Sequence, residues 1–460
     1  MHSGAVTIIG AGLSGSEAAW QLAARGVPVR LIEMRPSAAA PAHHTGDFAE
    51  LVCSNSLKSV DPTSAAGMLK TELEQLGSLV LAVARGAAVP AGSALAVDRD
   101  AFSSRITQLL LDHPLIEVER AECTAVPDDG DVIIATGPLT SASLESALTR
   151  IVGVERLSFF DAAAPIVDAS TIDRSVAFAA SRYGKGDGDD YLNCPFERDD
   201  YDRFIAALVD ARRVVLKDFE VGDLFQACQP LEEIARRGSD APRFGPFKPV
   251  GLIDPRTGSR PWAVLQLRAE NAERTAYNLV GCQTNLTFSE QCRVFALVPG
   301  LEHADFLRFG VMHRNTFIDA PRTLNVDLSV RTAPRIRIVG QLAGTEGYLE
   351  AAATGLIGAL AVAAERTGLR IAPLPAETAL GALIAYATDP ATTPYQPMHV
   401  NLGLLPPLDP PVRSKRERHH AFSERARRSI RAFADEHELL INPGHEALQG
   451  AGLTSRREGL

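Results

Sequence analysis

Cysteine is scarce: six residues in 460, Cys53, Cys123, Cys194, Cys228, Cys282 and Cys292, with no Cys-x-x-Cys pair. That spacing argues against a disulfide framework and against structural zinc, and no histidine or carboxylate spacing suggests another metal site. No run of some eighteen apolar residues appears, and the N-terminus enters a strand directly, without a charged, apolar and cleavage-site succession. The expectation is a cytoplasmic protein with no membrane partner. Positive charge is also short, with 46 Lys+Arg against 56 Asp+Glu and a formal net charge of −10. A broad basic footprint for nucleic acid is therefore missing. One stretch is the exception: Arg413, Lys415, Arg416, Arg418, Arg425, Arg427, Arg428 and Arg431 crowd a helix-prone segment, which is either a solvated face or a place to hold RNA.

What is present begins at the first strand. Val6-Thr-Ile-Ile runs into the turn Gly10-Ala11-Gly12-Leu13-Ser14-Gly15, then a helix, then a second strand ending at Glu33. Strand, glycine triplet, helix, strand and acid in that order make a dinucleotide site. Gly10 serves the tight turn, Gly12 lets backbone approach a pyrophosphate, and Gly15 lets helix and strand pack closely. Glu33 accepts hydrogen bonds from a ribose diol. The helix's free N–H groups and positive dipole end face the phosphates.

Two further segments favour FAD over a nicotinamide. Asp131 to Gly137 reads as a buried strand ending in a small-residue turn, and Arg335 to Gly344 as a strand running into glycines. The latter leads, through Gly340 and Gly347, into a small-residue helix from Gly347 to Gly358. A cofactor domain completed more than three hundred residues after it began suits a dinucleotide gripped from both ends. No second glycine triplet marks a site for a reductant, so NADPH and NADH stay open.

The expected fold class is α/β: a FAD-binding Rossmann-like, glutathione-reductase-like domain with an inserted α+β substrate domain. Residues 1–155 form its first part, 156–325 the insert, 326–375 the returning part, and 376–460 a C-terminal helical region with a Pro-rich linker and the basic helix. No internal repeat is visible, and no obligate protein partner is indicated.

Several segments have no role in a generic flavin fold. They are Glu33-Met-Arg-Pro36, Pro41 to Ser56 around Cys53, Asp190 to Pro195, Phe225 to Gly238 around Cys228, Arg243 to Leu252, Gly310 to Thr316, and Glu346-Gly-Tyr-Leu-Glu350. Occurring in this order from about residue 5 to about residue 407, they resemble the folate- and FAD-dependent tRNA uracil-5-methyltransferases. The resemblance implies methyl transfer to C5 of a T-loop uridine, position 54 of tRNA. Methylenetetrahydrofolate would give the carbon, and reduced flavin, recharged by NADPH or NADH, the electrons.

The residues make sense of that chemistry. Uracil C5 is a poor nucleophile until a thiolate adds at C6, and a base must later remove the C5 proton. Cys228, beside Arg236, Arg237, Arg243 and Lys248, is the expected nucleophile, and Cys53 the expected proton-transfer or flavin-guarding thiol; the roles are interchangeable at this level. Cys194 reads as structural, while Cys123, Cys282 and Cys292 read as buried small hydrophobes. His43 and His44 either border the flavin or lie on the surface; His313, Arg314 and Asn315 either contact folate or flavin or form a core cluster. Three departures from the family pattern stand out: Phe247 where methionine is usual, the tract Gly184 to Asp190, and the basic stretch after Leu408. Competing readings are a sister flavoenzyme acting on ribosomal RNA or on the tRNA wobble uridine, and a flavin oxidoreductase for a small molecule. Paired cysteine loops weigh against the oxidoreductase, because hydride transfer needs no thiol nucleophile.

Overall fold

The protein is described from a computed structural model covering residues 4–38, 43–153, 157–214 and 229–453. Its first sheet has the order Ser329–Val330, Ala333–Ile338, Val132–Ile134, Val6–Ile9, Val29–Ile32, Ile116–Glu119. All neighbours are parallel except the first two. Its central strands are predominantly apolar, with Val6, Ile8, Val132, Ile133 and Ile134 at 0% exposure, as expected where helices cover both faces. The returning strand Ala333–Ile338 lies beside Val132–Ile134 and completes the Rossmann-like layer.

The helix after this strand, Tyr348–Thr367, is long and apolar enough to cross a membrane by composition, an exception to the sequence reading. It is a core helix instead. It packs along the glycine-turn helix Leu13–Ala24 so closely that a Cβ on Gly355 would stand 2.1 Å from the Ser14 carbonyl oxygen.

A second, antiparallel sheet has the order Phe178–Ala179, Tyr191–Phe196, Ala263–Ala269, Ala276–Leu279, Ile166–Asp168, Phe306–Arg308. Its own core gathers Phe196, Phe204, Phe295 and Phe247, and the Phe247 ring stacks on Phe196 at 6.0 Å. The departure at Phe247 is thus absorbed as one apolar core residue for another. The altered tract before Tyr191 ends on Asp190, whose Oδ2 accepts from the Gly92 N–H at 2.5 Å and ties the second sheet to the turn between Ala88–Val89 and Ala94–Val97.

The C-terminal helices are not an appendage. Phe422, Ile430 and Phe433 of the basic helix Lys415–Glu436, and Leu440 and Ile441 after it, belong to the same apolar core as the first sheet. The Pro-rich linker is held by Arg425, which donates to the carbonyls of Pro406 and Pro407 at 2.5 and 2.9 Å. One of the eight basic side chains is therefore occupied inside the fold, and Arg427 pairs with Glu424 at 2.8 Å.

Candidate functional site

A cavity of about 290 Å³ lies where the first strand, the glycine-turn helix, the Cys53 loop and the start of Tyr348–Thr367 meet. At one end the backbone shapes it. Gly10 takes φ +96°, and a Cβ there would stand 2.7 Å from the Ala135 carbonyl oxygen; one on Gly15 would stand 1.8 Å from the Gly10 oxygen. Gly12 differs, because a Cβ there would meet no atom within 4 Å. Two glycines are needed by the fold, and the third leaves space.

Glu33 borders this end with its side chain buried. Its Oε2 accepts from the Ala11 N–H at 2.8 Å and its Oε1 from Arg35 Nε at 2.8 Å. Burial opposes the charge, but the Arg35 hydrogen bond and charge and the N–H donors outweigh it, holding the carboxyl below its ordinary value. Arg35 also bonds Glu50 at 3.0 Å.

At the other end, side chains from distant segments converge on the loop carrying Cys53. The Tyr348 hydroxyl accepts from the Cys53 and Ser54 N–H groups at 2.8 and 3.0 Å. Arg308 Nη2 donates to the Val52 carbonyl at 2.6 Å, and Arg99 donates to the Leu51 carbonyl and to Glu270. Arg268, almost fully buried, reaches Asn55 Oδ1 at 2.6 Å and Ser54 Oγ at 2.7 Å. Burial, then the neighbouring Arg99 charge, depresses the Arg308 pKa, and burial pushes the Tyr348 phenol up. Arg99 and Arg308 thus face Cys53 electrostatically, with Glu270 balancing Arg99 and with Arg268 bracing the residues that follow the thiol.

Of the residues singled out by sequence, Gly10, Gly12, Leu13, Ser14, Glu33, Cys53, Gly137 and Gly347 line the cavity. Ala11, Gly15 and Gly340 stand behind it: Ala11 through its bond to Glu33, Gly15 and Gly340 as close-packing positions, since a Cβ on Gly340 would lie 2.6 Å from Ser14 Oγ. His43 borders the cavity and His44 does not. Cys228 falls outside the described residues, as do the side chains of His313 and Arg314. Cys194 and Cys282 are buried, and Cys123, half-buried on the cavity wall, packs against the main apolar core, but Cys292 is exposed, so the buried-hydrophobe reading fails for it. Lys248 is exposed in the second sheet's periphery.

Sequence reasoning passes over Arg99, Arg268 and Arg308. Arg268 occupies an ordinary position in a strand pattern, and nothing local separates it from a solvated arginine. Tyr348 is within reach, since it lies inside one of the motifs.

The cavity suits a dinucleotide in two observable ways. Gly12 leaves an unfilled cradle beside a helix N-terminus. Asn315, at 0% exposure on the cavity wall, has neither its Nδ2 nor its Oδ1 partnered among the described residues, a donor and acceptor pair of the kind a heterocycle edge satisfies.

Comparison with known proteins decides the family. A profile described as "Glucose inhibited division protein A", GidA, matches residues 5–370. The chain belongs to this family. Within the GidA family it is 54% identical over 422 residues to the protein of Moorella thermoacetica named methylenetetrahydrofolate–tRNA-(uracil-5-)-methyltransferase TrmFO, covering 92% of this chain and 96% of that one. A protein of the same name from Symbiobacterium thermophilum is 52% identical over 435 residues, covering 94% and 97%. Among solved structures, Aquifex aeolicus GidA superposes with a TM-score of 0.67 at 15% identity over 97% of this chain and 75% of that one, which bears on the fold.

Proposed function

We propose that the protein is a methylenetetrahydrofolate- and FAD-dependent tRNA (uracil-5-)-methyltransferase. The observation that carries this reading is the identity above 50% to TrmFO proteins along nearly the whole of both chains. In our reading the modified base is uridine 54 of the T-loop, and NADPH or NADH is the reductant.

The cofactor-binding group is read as Gly10 to Gly15, Glu33, Gly137, Gly340 and Gly347. Gly12 and the helix N-terminus would receive the pyrophosphate, Glu33 the ribose, and Asn315 the edge of the flavin ring. Bound FAD would supply electrons for reducing the folate-derived carbon to a methyl group. The rest is work for this chain's side chains. A Cys228 thiolate adds to C6 of uracil, which makes C5 nucleophilic. After C5 has taken the carbon, Cys53 accepts the C5 proton as the bond from that carbon to its carrier breaks; once the carbon has been reduced to a methyl group the C6–S bond breaks and the Cys228 thiolate leaves. A free thiol, with a pKa near ~8.5, is mostly protonated at neutral pH; Arg99 and Arg308 beside the Cys53 loop support the charged form. The basic stretch Arg413 to Arg431 is read as an RNA-holding face.

Isotope-labelled methylenetetrahydrofolate, given with reduced nicotinamide, is expected to label C5 of uridine in tRNA, with the label recovered in T-loop fragments by mass spectrometry. Label arriving from S-adenosylmethionine and not from folate would falsify the reading. A tRNA carrying 5-fluorouridine has no C5 proton to lose and should trap the nucleophile. The bond is expected at Cys228, absent in Cys228→Ala, while Cys53→Ala loses turnover. A bond at Cys53 exchanges the two roles.

A further inference from the structure

Aromatic rings in the second sheet run from core to surface. Phe204 and Phe295 are buried, and Phe295 lies 6.2 Å from Phe306. Phe306 stacks on Phe309 at 5.2 Å and 12°, and Phe309 on Phe288 at 4.6 Å and 15°. The last ring, on the first residue of the helix Phe288–Phe295, is 53% exposed. The outer three rings are nearly parallel, so the series ends on an open aromatic face.

The positions of the outer rings are fixed by a buried clamp. Gln291, at 0% exposure, donates to the Gly310 and Leu286 carbonyls, each at 2.8 Å, and accepts from the Gly310 N–H at 2.8 Å. It thereby locks the helix bearing Phe288 to the turn bearing Phe309. The residue between Phe306 and Phe309 that matters for location is Arg308, whose guanidinium holds the Val52 carbonyl at 2.6 Å, and Val52 and Cys53 line the cavity. The open ring therefore belongs to the same framework as the cavity wall.

We propose that Phe288, backed by Phe309 and Phe306, is a stacking platform for an unstacked nucleobase of the RNA substrate, a loop neighbour of the base that enters the cavity. This rests on the tRNA reading given above. Bases that leave a stack are commonly received on aromatic faces, and such stacking tolerates any base because every base has a π face. A second copy of this chain suits the face less well, since one ring offers far less than the roughly 800 Å² per partner of a stable protein interface. Charge is mixed here: Arg212 and Arg293 both pair with Glu290, and Asp305 is exposed nearby. The expected contribution is therefore stacking and not phosphate neutralisation.

The test uses the full-length flavin-loaded protein and an unmodified tRNA transcript, with affinity measured across a salt series. Phe288→Ala should weaken binding roughly 30-fold, the middle of the range for a stacked base, with the salt dependence and flavin content unchanged. Phe288→Leu keeps apolar bulk without a π face and should lose as much; Phe288→Trp should keep wild-type affinity. If the wild type binds tRNA and the Ala and Leu variants bind it equally well, the platform is overturned while the enzyme assignment stands. If the wild type does not bind tRNA, the assignment itself fails. A dimer in the wild type that Phe288→Ala dissolves, with tRNA affinity intact, would assign the face to self-association and overturn the proposal.

Discussion

The two ends of the cavity are built by different means. At the Gly10 to Gly15 end, the building is done mostly by backbone: a glycine-rich turn, a helix N-terminus and one carboxylate, all within residues 10–33. At the Cys53 end it is done by side chains brought from residues 99, 268, 270, 308 and 348 to brace one loop. A backbone site depends on local spacing. A convergent site depends on the whole fold being right.

The largest effect expected is at the backbone end, and it separates two glycines that the sequence pattern treats alike. Gly15→Val drives a Cβ into the Gly10 carbonyl at 1.8 Å, where only backbone could yield. Overpacking of this kind costs about 1–3 kcal/mol or more, so both stability and flavin should be lost. At Gly12 a Cβ meets no atom within 4 Å; the apo protein of Gly12→Val should melt as the wild type does, yet purify colourless. Thermal unfolding and the flavin spectrum together decide, and a yellow Gly12→Val protein would move the pyrophosphate elsewhere.

Next in size is a pH effect that isolates what Arg35 does for Glu33. Glu72 is also a buried carboxylate with two backbone donors, Ala379 N–H at 2.6 Å and Leu380 N–H at 2.8 Å, but no cation among the described residues bonds it. Burial raises its pKa from 4.5 to about 7, with those two bonds only partly offsetting the rise. The folded state thus binds the proton more tightly than the unfolded chain. Stability from Glu72 is fully present below pH 4.5 and is lost as pH rises toward 7, by an amount on the order of 3 kcal/mol. Glu33, held below its ordinary value, has the opposite sign: its contribution is present above the ordinary carboxylate range and fades as pH falls through the lowered value. Glu72→Gln should flatten the denaturation midpoint between pH 4.5 and 7; an unchanged slope there would mean that Glu72 stays charged throughout.

At the convergent end, Arg268→Met should strand the buried Asn55 Oδ1 and release Ser54, at about 1–3 kcal/mol. Flavin content should hold while turnover falls and Cys53 alkylates at a different rate. Loss of flavin with Cys53 reactivity unchanged would reverse the contrast between the two ends.

This contrast also explains what can be read from sequence. The dinucleotide turn, the acid at Glu33 and the returning strand Ala333–Ile338 are legible because each is a local pattern with its own periodicity or spacing. Arg268 and Arg99 are not, because their partners Asn55, Leu51 and Glu270 are near them only after two sheets have packed. Gly340 shows the same limit: a glycine beside a cofactor and a glycine beside Ser14 Oγ look identical in a string of letters. The apolar run of Tyr348–Thr367 is likewise ambiguous until its partner helix is known.

The smallest effect concerns cations that brace nothing. Lys415 and Arg416 are exposed and begin the basic helix, whose cap is Ser414, accepting from the Glu417 N–H at 3.4 Å. They stand at the positive end of the helix dipole, where cations are unfavourable by about 0.3–1 kcal/mol. Glu417 in the same turn has the favourable sign. Helix stability therefore does not account for the two cations; phosphate neutralisation, the role proposed for this stretch, would. With Asp61, Thr63, His419 and His420 they border a second concavity, so the anion would meet them at a recess and not on a flat face. Reversing both to Glu should raise the melting temperature slightly and leave flavin content alone. It should also weaken tRNA binding and reduce the log–log salt slope by about 0.7–0.9 for each phosphate no longer neutralised. A stabilised variant with an unchanged salt slope would return these residues to the solvated surface. A slope that falls while stability rises would mean that the helix gives up a little stability to hold RNA, unlike the arginines around Cys53, which serve the fold and the site together.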